Sequence, residues 1–204
     1  MEKNRVEAFS DGVIAIAITL LILEIRVPDP QTLTGGLAHY LSQQWSSMAA
    51  FVLSFAVIGI MWINHHSIFH AVARVDRVLL LLNLHLLLWI AFVPFPTALV
   101  ARYFRHGSDA GVAMAVYSAV MFIIAIAFNM LWRWICRDDR LLHPHIDYRQ
   151  AQARSKRYTL GLYCYPAAAV LSFFSALAAL ILHFVTAVYY VADQLSVRSE
   201  ADRT

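Results

Sequence analysis

The chain has 204 residues, of which 60% are hydrophobic and only 14% charged, with a mean hydropathy of +0.61. A soluble domain is about half apolar and about a quarter charged, so this composition belongs to an integral membrane protein. The net charge of +3 does not mark a nucleic-acid binder, because the basic residues fall between apolar spans, where lipid topology puts them.

The first element opens with Arg5-Val6-Glu7-Ala8-Phe9-Ser10-Asp11 and continues as an apolar run from Gly12 to Leu23. Its length predicts a membrane helix over 6–25. The alternation from Val13 to Ile18 does not make it a strand, since an isolated strand in lipid leaves its backbone unpaired. Charges lie inside the stretch and no small-residue cleavage site follows, so it reads as a retained helix and not a signal peptide. An aspartate at the centre of a membrane helix costs roughly 2.5–3.5 kcal/mol on insertion scales, so Asp11 is expected to meet partners inside the bundle. At about 100° per residue, Leu20 and Leu23 fall within about 40° of Ile16, and Thr19 about 60° from it. Asp11 lies about 140° away on the same count. The helix therefore carries an aliphatic stripe with one hydroxyl and, near its start, a polar knot. Spacing alone leaves the stripe as a lipid-facing or packing surface.

After the turn at Pro28-Asp29-Pro30, the segment from Gln31 to Trp45 is expected to form a short interfacial helix anchored by Tyr40 and Trp45. Further spans are predicted over 47–66, 78–100 and 110–132. The block from Tyr158 to Ala192 contains no Asp, Glu, Lys or Arg. As one helix it would be about 52 Å long against a hydrocarbon core of about 30 Å. Two spans, 158–172 and 175–192, joined by a tight turn, fit better, with Pro166 kinking the former. The expected fold class is all-α, with six transmembrane helices.

Loop charges test that number. With the amino terminus inside, the inner segments carry Lys3, Arg5, Arg74, Arg77, Arg133, Arg137, Arg140, Arg149, Arg154, Lys156, Arg157, Arg198 and Arg203, and the outer ones Arg26, Arg102 and Arg105. This inside excess requires an even number of spans and puts both termini in the cytoplasm. The chain reads as one multi-pass domain, residues 1–204, of the cell inner membrane. It is small for a pore, so an oligomer is expected.

The second span ends in Trp62-Ile63-Asn64-His65-His66-Ser67-Ile68-Phe69-His70, and the third carries Asn83 and His85. These share the inner side with the start of the first helix. Asp11 is expected to accept a hydrogen bond from Trp62, His65, His66 or Asn83, fixing how the helices pack. His66 and His70 have an i, i+4 spacing, yet no third ligand is fixed and no glutamate lies between them, so neither a metal nor a cofactor is expected. Ser10 lacks a Gly-x-Ser-x-Gly turn, and the carboxylate beside it faces another direction, so no hydrolytic triad and no enzyme is expected. Cys136 and Cys164 are isolated and read as unpaired thiols. His143-Pro144-His145 reads as an exposed linker.

Arg5-x-x-x-Phe9-Ser10-Asp11, the Gly-Val-Ile-Ala-Ile-Ala-Ile-Thr-Leu-Leu run, Trp62 with His65-His66, Asn83, and Pro94-Phe95-Pro96-Thr97 together resemble the prokaryotic relatives of the endosomal and lysosomal potassium channel. The match covers the first three spans. The resemblance implies six-helix subunits that form homotetramers around a pore lined by the first helix. It implies permeant potassium ions, with membrane lipid and further copies of the chain as partners and no nucleic acid. Family members lack a Thr-Val-Gly-Tyr-Gly filter, and none occurs in this sequence. The resemblance puts the aliphatic constriction at Ile16, continued by Leu20 and Leu23, and a selecting hydroxyl ring at Thr19. It implies that Arg5, Phe9, Ser10 and Asp11 hold the first helix through Trp62, His65, His66 and Asn83. A narrow ring of isoleucines sheds water and gates by dewetting. Glu24 is a candidate for a negative ring near the outer end. The competing reading is a secondary or proton-coupled transporter that uses Asp11 and the second-span histidines as a relay. Inverted repeats and broken helices, which carriers usually show, are not evident.

Overall fold

A computed structural model describes residues 2–31, 35–137, 141–143 and 148–201, with the backbone alone described over 148–158 and 192–201. Lipid offers the backbone no hydrogen bonds, so apolar runs of this length close their own as helices. Helix α1 (Lys3–Leu20) tightens into a 3₁₀ turn over Leu21–Glu24. Two glycines with positive φ, Gly35 and Gly36, lead into the short α2 (Gly36–Gln43), which lies within the stretch expected to be helical, while Trp45 belongs to the next helix. Gln44 joins α2 directly to α3 (Trp45–His70). Helix α4 (Arg77–Phe92) starts where the Asp76 carboxylate accepts the Leu79 N–H at 2.7 Å, the usual N-cap arrangement. It is followed by α5 (Pro94–Tyr103), α6 (Ser108–Ile135), α7 (Tyr148–Ser172) and α8 (Ala176–Ala201).

Among the described residues there is no strand. One antiparallel bridge, Val72 to Leu142, pins the α6–α7 connection onto the turn between α3 and α4. Among the described residues, four stretches are long and apolar enough to cross a membrane: Lys3–Glu24, Trp45–His70, Arg77–Tyr103 and Ser108–Ile135. Thr159–Ser172 and Ala176–Val191 are shorter apolar helices. The turn between α7 and α8 falls where expected, with the Ser175 N–H donating to the Leu171 carbonyl at 2.9 Å.

Two details differ from the expectations. The span predicted over 78–100 is interrupted at Val93, between α4 and α5, although Val93 keeps right-handed helical dihedrals. Pro94 occupies the first helical position, where a missing N–H costs nothing. The Thr97 N–H and Oγ1 both donate to the Val93 carbonyl, at 3.1 and 2.9 Å. Helix α7 begins at Tyr148, ahead of the apolar block, and runs through Pro166. Hydropathy marks where a helix enters lipid, not where its backbone turns helical. Of the expected linker, Pro144 and His145 lie outside the described residues, as do Arg140 and Arg203 among the inner basic residues.

Helix α6 forms the centre, packed by α4, α5, α7 and α8. Its Met114, Met121, Ile124, Leu131 and Ile135 are fully buried. The α6–α7 contact is close because Gly111 has no side chain: a Cβ there would sit 2.8 Å from the Ser172 carbonyl oxygen. Helix α1 lies apart from this centre, against α3 and α4.

Candidate functional site

Helix α1 has one buried stripe: Val6, Ser10, Ile14 and Ala17, continued by Leu21 of the 3₁₀ turn. Steps of three and four residues keep these on one face, and that face docks on α3 and α4. The other side stays open. Ile16 is 62% exposed, Leu20 43% and Leu23 68%. Thr19 is exposed with them, and its Oγ1 donates to the Ile16 carbonyl at 2.9 Å. The four residues expected at a pore thus share the face that α1 keeps away from its own subunit. Ile22, off the stripe by spacing, is 51% exposed, so the open face is broader than the stripe.

The polar knot resolves into two separate hydrogen-bond sets. In the deep one, Asn83 Nδ2 donates to Ser10 Oγ at 2.9 Å, and Ser10 Oγ donates to the Val6 carbonyl at 2.8 Å. Asn83 Oδ1 lies 2.9 Å from His65 Nε2. With the amide donating through Nδ2, His65 is assigned its proton on Nε2. Its ring stacks on Phe69 at 4.4 Å between centroids. All three polar residues are buried, and they tie α1, α3 and α4 together.

The shallow set is one bond, from Trp62 Nε1 to Asp11 Oδ1 at 2.9 Å. The Trp62 ring lies beside His66, 6.3 Å between centroids. Of the four partners expected for Asp11, Trp62 alone bonds it, while His65 and Asn83 are engaged with each other and with Ser10. The cause is rotation: Ser10 and Asp11 are about 100° apart on the helix. The hydroxyl enters the bundle and the carboxylate stays at its rim, where Asp11 is exposed. Arg5 and Phe9 are exposed too. Arg5 makes no ion pair among the described residues. Ser10 is thus hydrogen-bonded to α4 and Asp11 to α3, while Arg5 and Phe9 lie exposed on α1.

His66 and His70 are exposed, and no group of three metal-type side chains occurs among the described residues. At the other end of α1, Glu24 is paired with Arg102 at 3.4 Å, and its side chain is only 18% exposed. A bare negative ring is therefore not what this carboxylate offers.

A second polar network escaped the sequence reading. Thr97 Oγ1, whose proton goes to the Val93 carbonyl, lies 2.8 Å from Ser54 Oγ and accepts from it, and Ser54 Oγ lies 3.2 Å from the Tyr117 hydroxyl. His183 meets the Tyr117 ring edge-on, stacks on Tyr165, and bonds Ser118 Oγ at 2.8 Å. The signal was available: a histidine in an apolar span needs partners by the same rule that singles out Asp11.

A family model described as endosomal/lysosomal potassium channel TMEM175 matches residues 5–94, the stretch containing α1, α3 and α4. A potassium channel of Streptomyces collinus is 51% identical over 196 residues, spanning 96% of this chain and 95% of that one. The chain belongs to the TMEM175 potassium channel family. A potassium channel of Chamaesiphon minutus is 47% identical over 190 residues, 93% of each chain. The crystal structure of a lysosomal potassium-selective channel TMEM175 homolog from the same organism matches with a TM-score of 0.85 at 44% identity. That match covers 94% of this chain and 97% of the other, so the TMEM175 fold extends past residue 94 into the later helices. Membership of the TMEM175 family makes the chain a membrane channel protein and not an enzyme.

Proposed function

We propose that the chain forms a homotetrameric, potassium-preferring cation channel of the cell inner membrane, with its pore along α1. Each subunit, residues 1–204, is one transmembrane domain that crosses six times, with α7 and α8 joining the four longer spans. Both termini are cytoplasmic, as the inside excess of Lys and Arg supports. The observation that carries the proposal is the asymmetry of α1. Its buried stripe is used up on α3 and α4, while Ile16, Thr19, Leu20 and Leu23 remain open in a chain too small to enclose a pore.

With α1 nearest a fourfold axis, four Ile16 side chains form the narrowest ring, and Leu20 and Leu23 continue the narrow stretch. Such a ring expels water when closed, and a small dilation admits water and an ion. The Thr19 hydroxyl proton is committed to the Ile16 carbonyl, which leaves the oxygen lone pairs to face a cation. Selection then needs no Thr-Val-Gly-Tyr-Gly filter. Ser10 and Asp11, with Trp62, His65, His66 and Asn83, hold α1 in place, and Arg5 and Phe9 contact the neighbouring subunit. A carrier with a relay from Asp11 to the α3 histidines is not favoured, because no hydrogen bond joins them among the described residues.

Potassium flux into liposomes at matched protein density tests the proposal. Ile16→Asn replaces an apolar wall by one that hydrogen-bonds water, so flux rises well above that of the original protein. Ile16→Ala raises it by widening. Val170→Asn, on an α7 residue that is 63% exposed, leaves it unchanged. Single-channel steps in a planar bilayer separate a channel from a carrier. Unchanged flux in both Ile16 variants, with tetramers intact, removes Ile16 from the gate.

A further inference from the structure

Where α1 finishes and α3 begins, a cavity of about 590 Å³ opens among Arg26, Arg102, Arg105, Glu24, Ser46 and Ser47. Three guanidinium groups therefore face one carboxylate. Glu24 balances Arg102. Among the described residues, Arg105 donates to the neutral amide oxygen of Gln43 and pairs with no carboxylate. Arg26 has no carboxylate partner among the described residues. Two positive charges converge on the cavity without compensation.

A second feature has the same sign. The 26-residue helix α3 enters the cavity amino end first, and Gln44 at its N-cap makes no side-chain cap bond. Ser46 and Ser47 of its first turn are buried and line the cavity. A helix amino terminus presents N–H groups and the positive end of its dipole to anions. Guanidinium forks match the oxygens of phosphate. Arg102 adds a third fork: it is 54% exposed and its bond to Glu24 is 3.4 Å long, beyond the 2.7–2.9 Å typical of tight charge-assisted pairs. Tyr40 steadies the wall by donating to the Arg26 carbonyl at 3.2 Å.

We propose that this cavity binds the phosphate group of a phosphate-class oxyanion, either the headgroup of an anionic phospholipid or free phosphate. The site is one of ligand binding, so its test does not depend on ion flux.

The experiment is thermal unfolding of the full-length protein in a neutral detergent at constant ionic strength. It is titrated with inorganic phosphate, with short-chain phosphatidylglycerol, and with short-chain phosphatidylcholine as the control. The expected result is a saturable rise in the unfolding midpoint, absent with phosphatidylcholine. A rise with phosphatidylglycerol alone assigns the site to lipid. A rise with phosphate, alone or together with phosphatidylglycerol, assigns it to the phosphate group itself. In the Arg26→Gln/Arg105→Gln double variant the half-saturating concentration climbs about tenfold or more, the worth of a lost charged hydrogen bond. Arg105→Lys, which keeps the charge but not the fork, falls in between. Arg26→Gln alone, at an exposed position, stands in if the double variant does not fold. No saturable rise with either anionic probe, or the same half-saturation in the variants as in the original, overturns the proposal.

Discussion

Replacing Asn83 by alanine removes both bonds of the deep polar set at once, and the geometry says what each is worth. Ser10 Oγ loses a donor yet keeps its own bond to the Val6 carbonyl at 2.8 Å. His65 fares worse: it is 1% exposed, and Asn83 is the partner of its Nε2. A buried N–H left without an acceptor costs about 1–3 kcal/mol. Hydrogen bonds between membrane helices average about 0.6 and reach about 1.7 kcal/mol. Asn83→Ala should therefore cost about 2 kcal/mol of subunit stability, most of it through His65. His65→Ala also forfeits the stack on Phe69, so single variants do not isolate the bond. The double-mutant cycle of His65→Ala and Asn83→Ala does, with an expected coupling of about 0.6–1.7 kcal/mol. Reversible unfolding in mixed micelles, with a denaturing detergent as the variable, supplies the four free energies. A coupling below about 0.3 kcal/mol, the range of independent sites, would refute the assignment of this bond as a tie on α1.

Asp11→Asn keeps a carbonyl oxygen for Trp62 at an exposed site, so it should cost about 1 kcal/mol and not the 3–5 of a severed buried pair. Potassium and sodium reversal potentials should stay put, and a shift would place this carboxylate in the permeation path. Gly111→Ala forces a Cβ to within 2.8 Å of the Ser172 oxygen and should destabilise by about 1–3 kcal/mol, read as a lower melting temperature. Gly12→Ala meets nothing within 4 Å in its own chain, so if the proposed tetramer dissociates in this variant on size-exclusion chromatography, the change reports a neighbouring subunit against α1. Arg102→Gln unpairs Glu24 and should raise single-channel conductance in dilute potassium, an effect that fades in about 1 M salt as the Debye length shrinks to about 3 Å. Equal conductance at both salt levels would place Glu24 away from the ion path.

The apolar blocks were legible because lipid imposes a length rule on each span by itself, and the break at Ser172–Ser175 followed from arithmetic on one block too long to cross once. The rule is silent on joints within a span. Pro94 and Pro96 were in plain view, yet proline is tolerated in membrane helices whose neighbours rescue the backbone, so the division at Val93 was not dictated by residue type. The open face of α1 could be read from periodicity, because it depends on one helix only. The choice of partners could not: whether Asp11 meets Trp62 or Asn83 depends on how α1 is rotated about its axis against α3 and α4. That rotation is set by packing of the whole buried stripe. His183 and Tyr117 carried the same warning as Asp11 without the motif that drew attention to it.

The joint at Val93 gives the third span a mechanical meaning. Near its start, α1 is tied to α4 through Ser10 and Asn83. At its end, the 3₁₀ turn packs on α3 and α5, and Glu24 reaches Arg102 of α5. The two attachments, at Ser10 and Leu21, are about 16 Å apart along the axis. They sit on the two helices either side of Val93, which itself keeps right-handed helical dihedrals. Thr97 bridges the junction by gripping the Val93 carbonyl with both its N–H and its hydroxyl, so α4 and α5 act as one strut to which α1 is fastened at both ends.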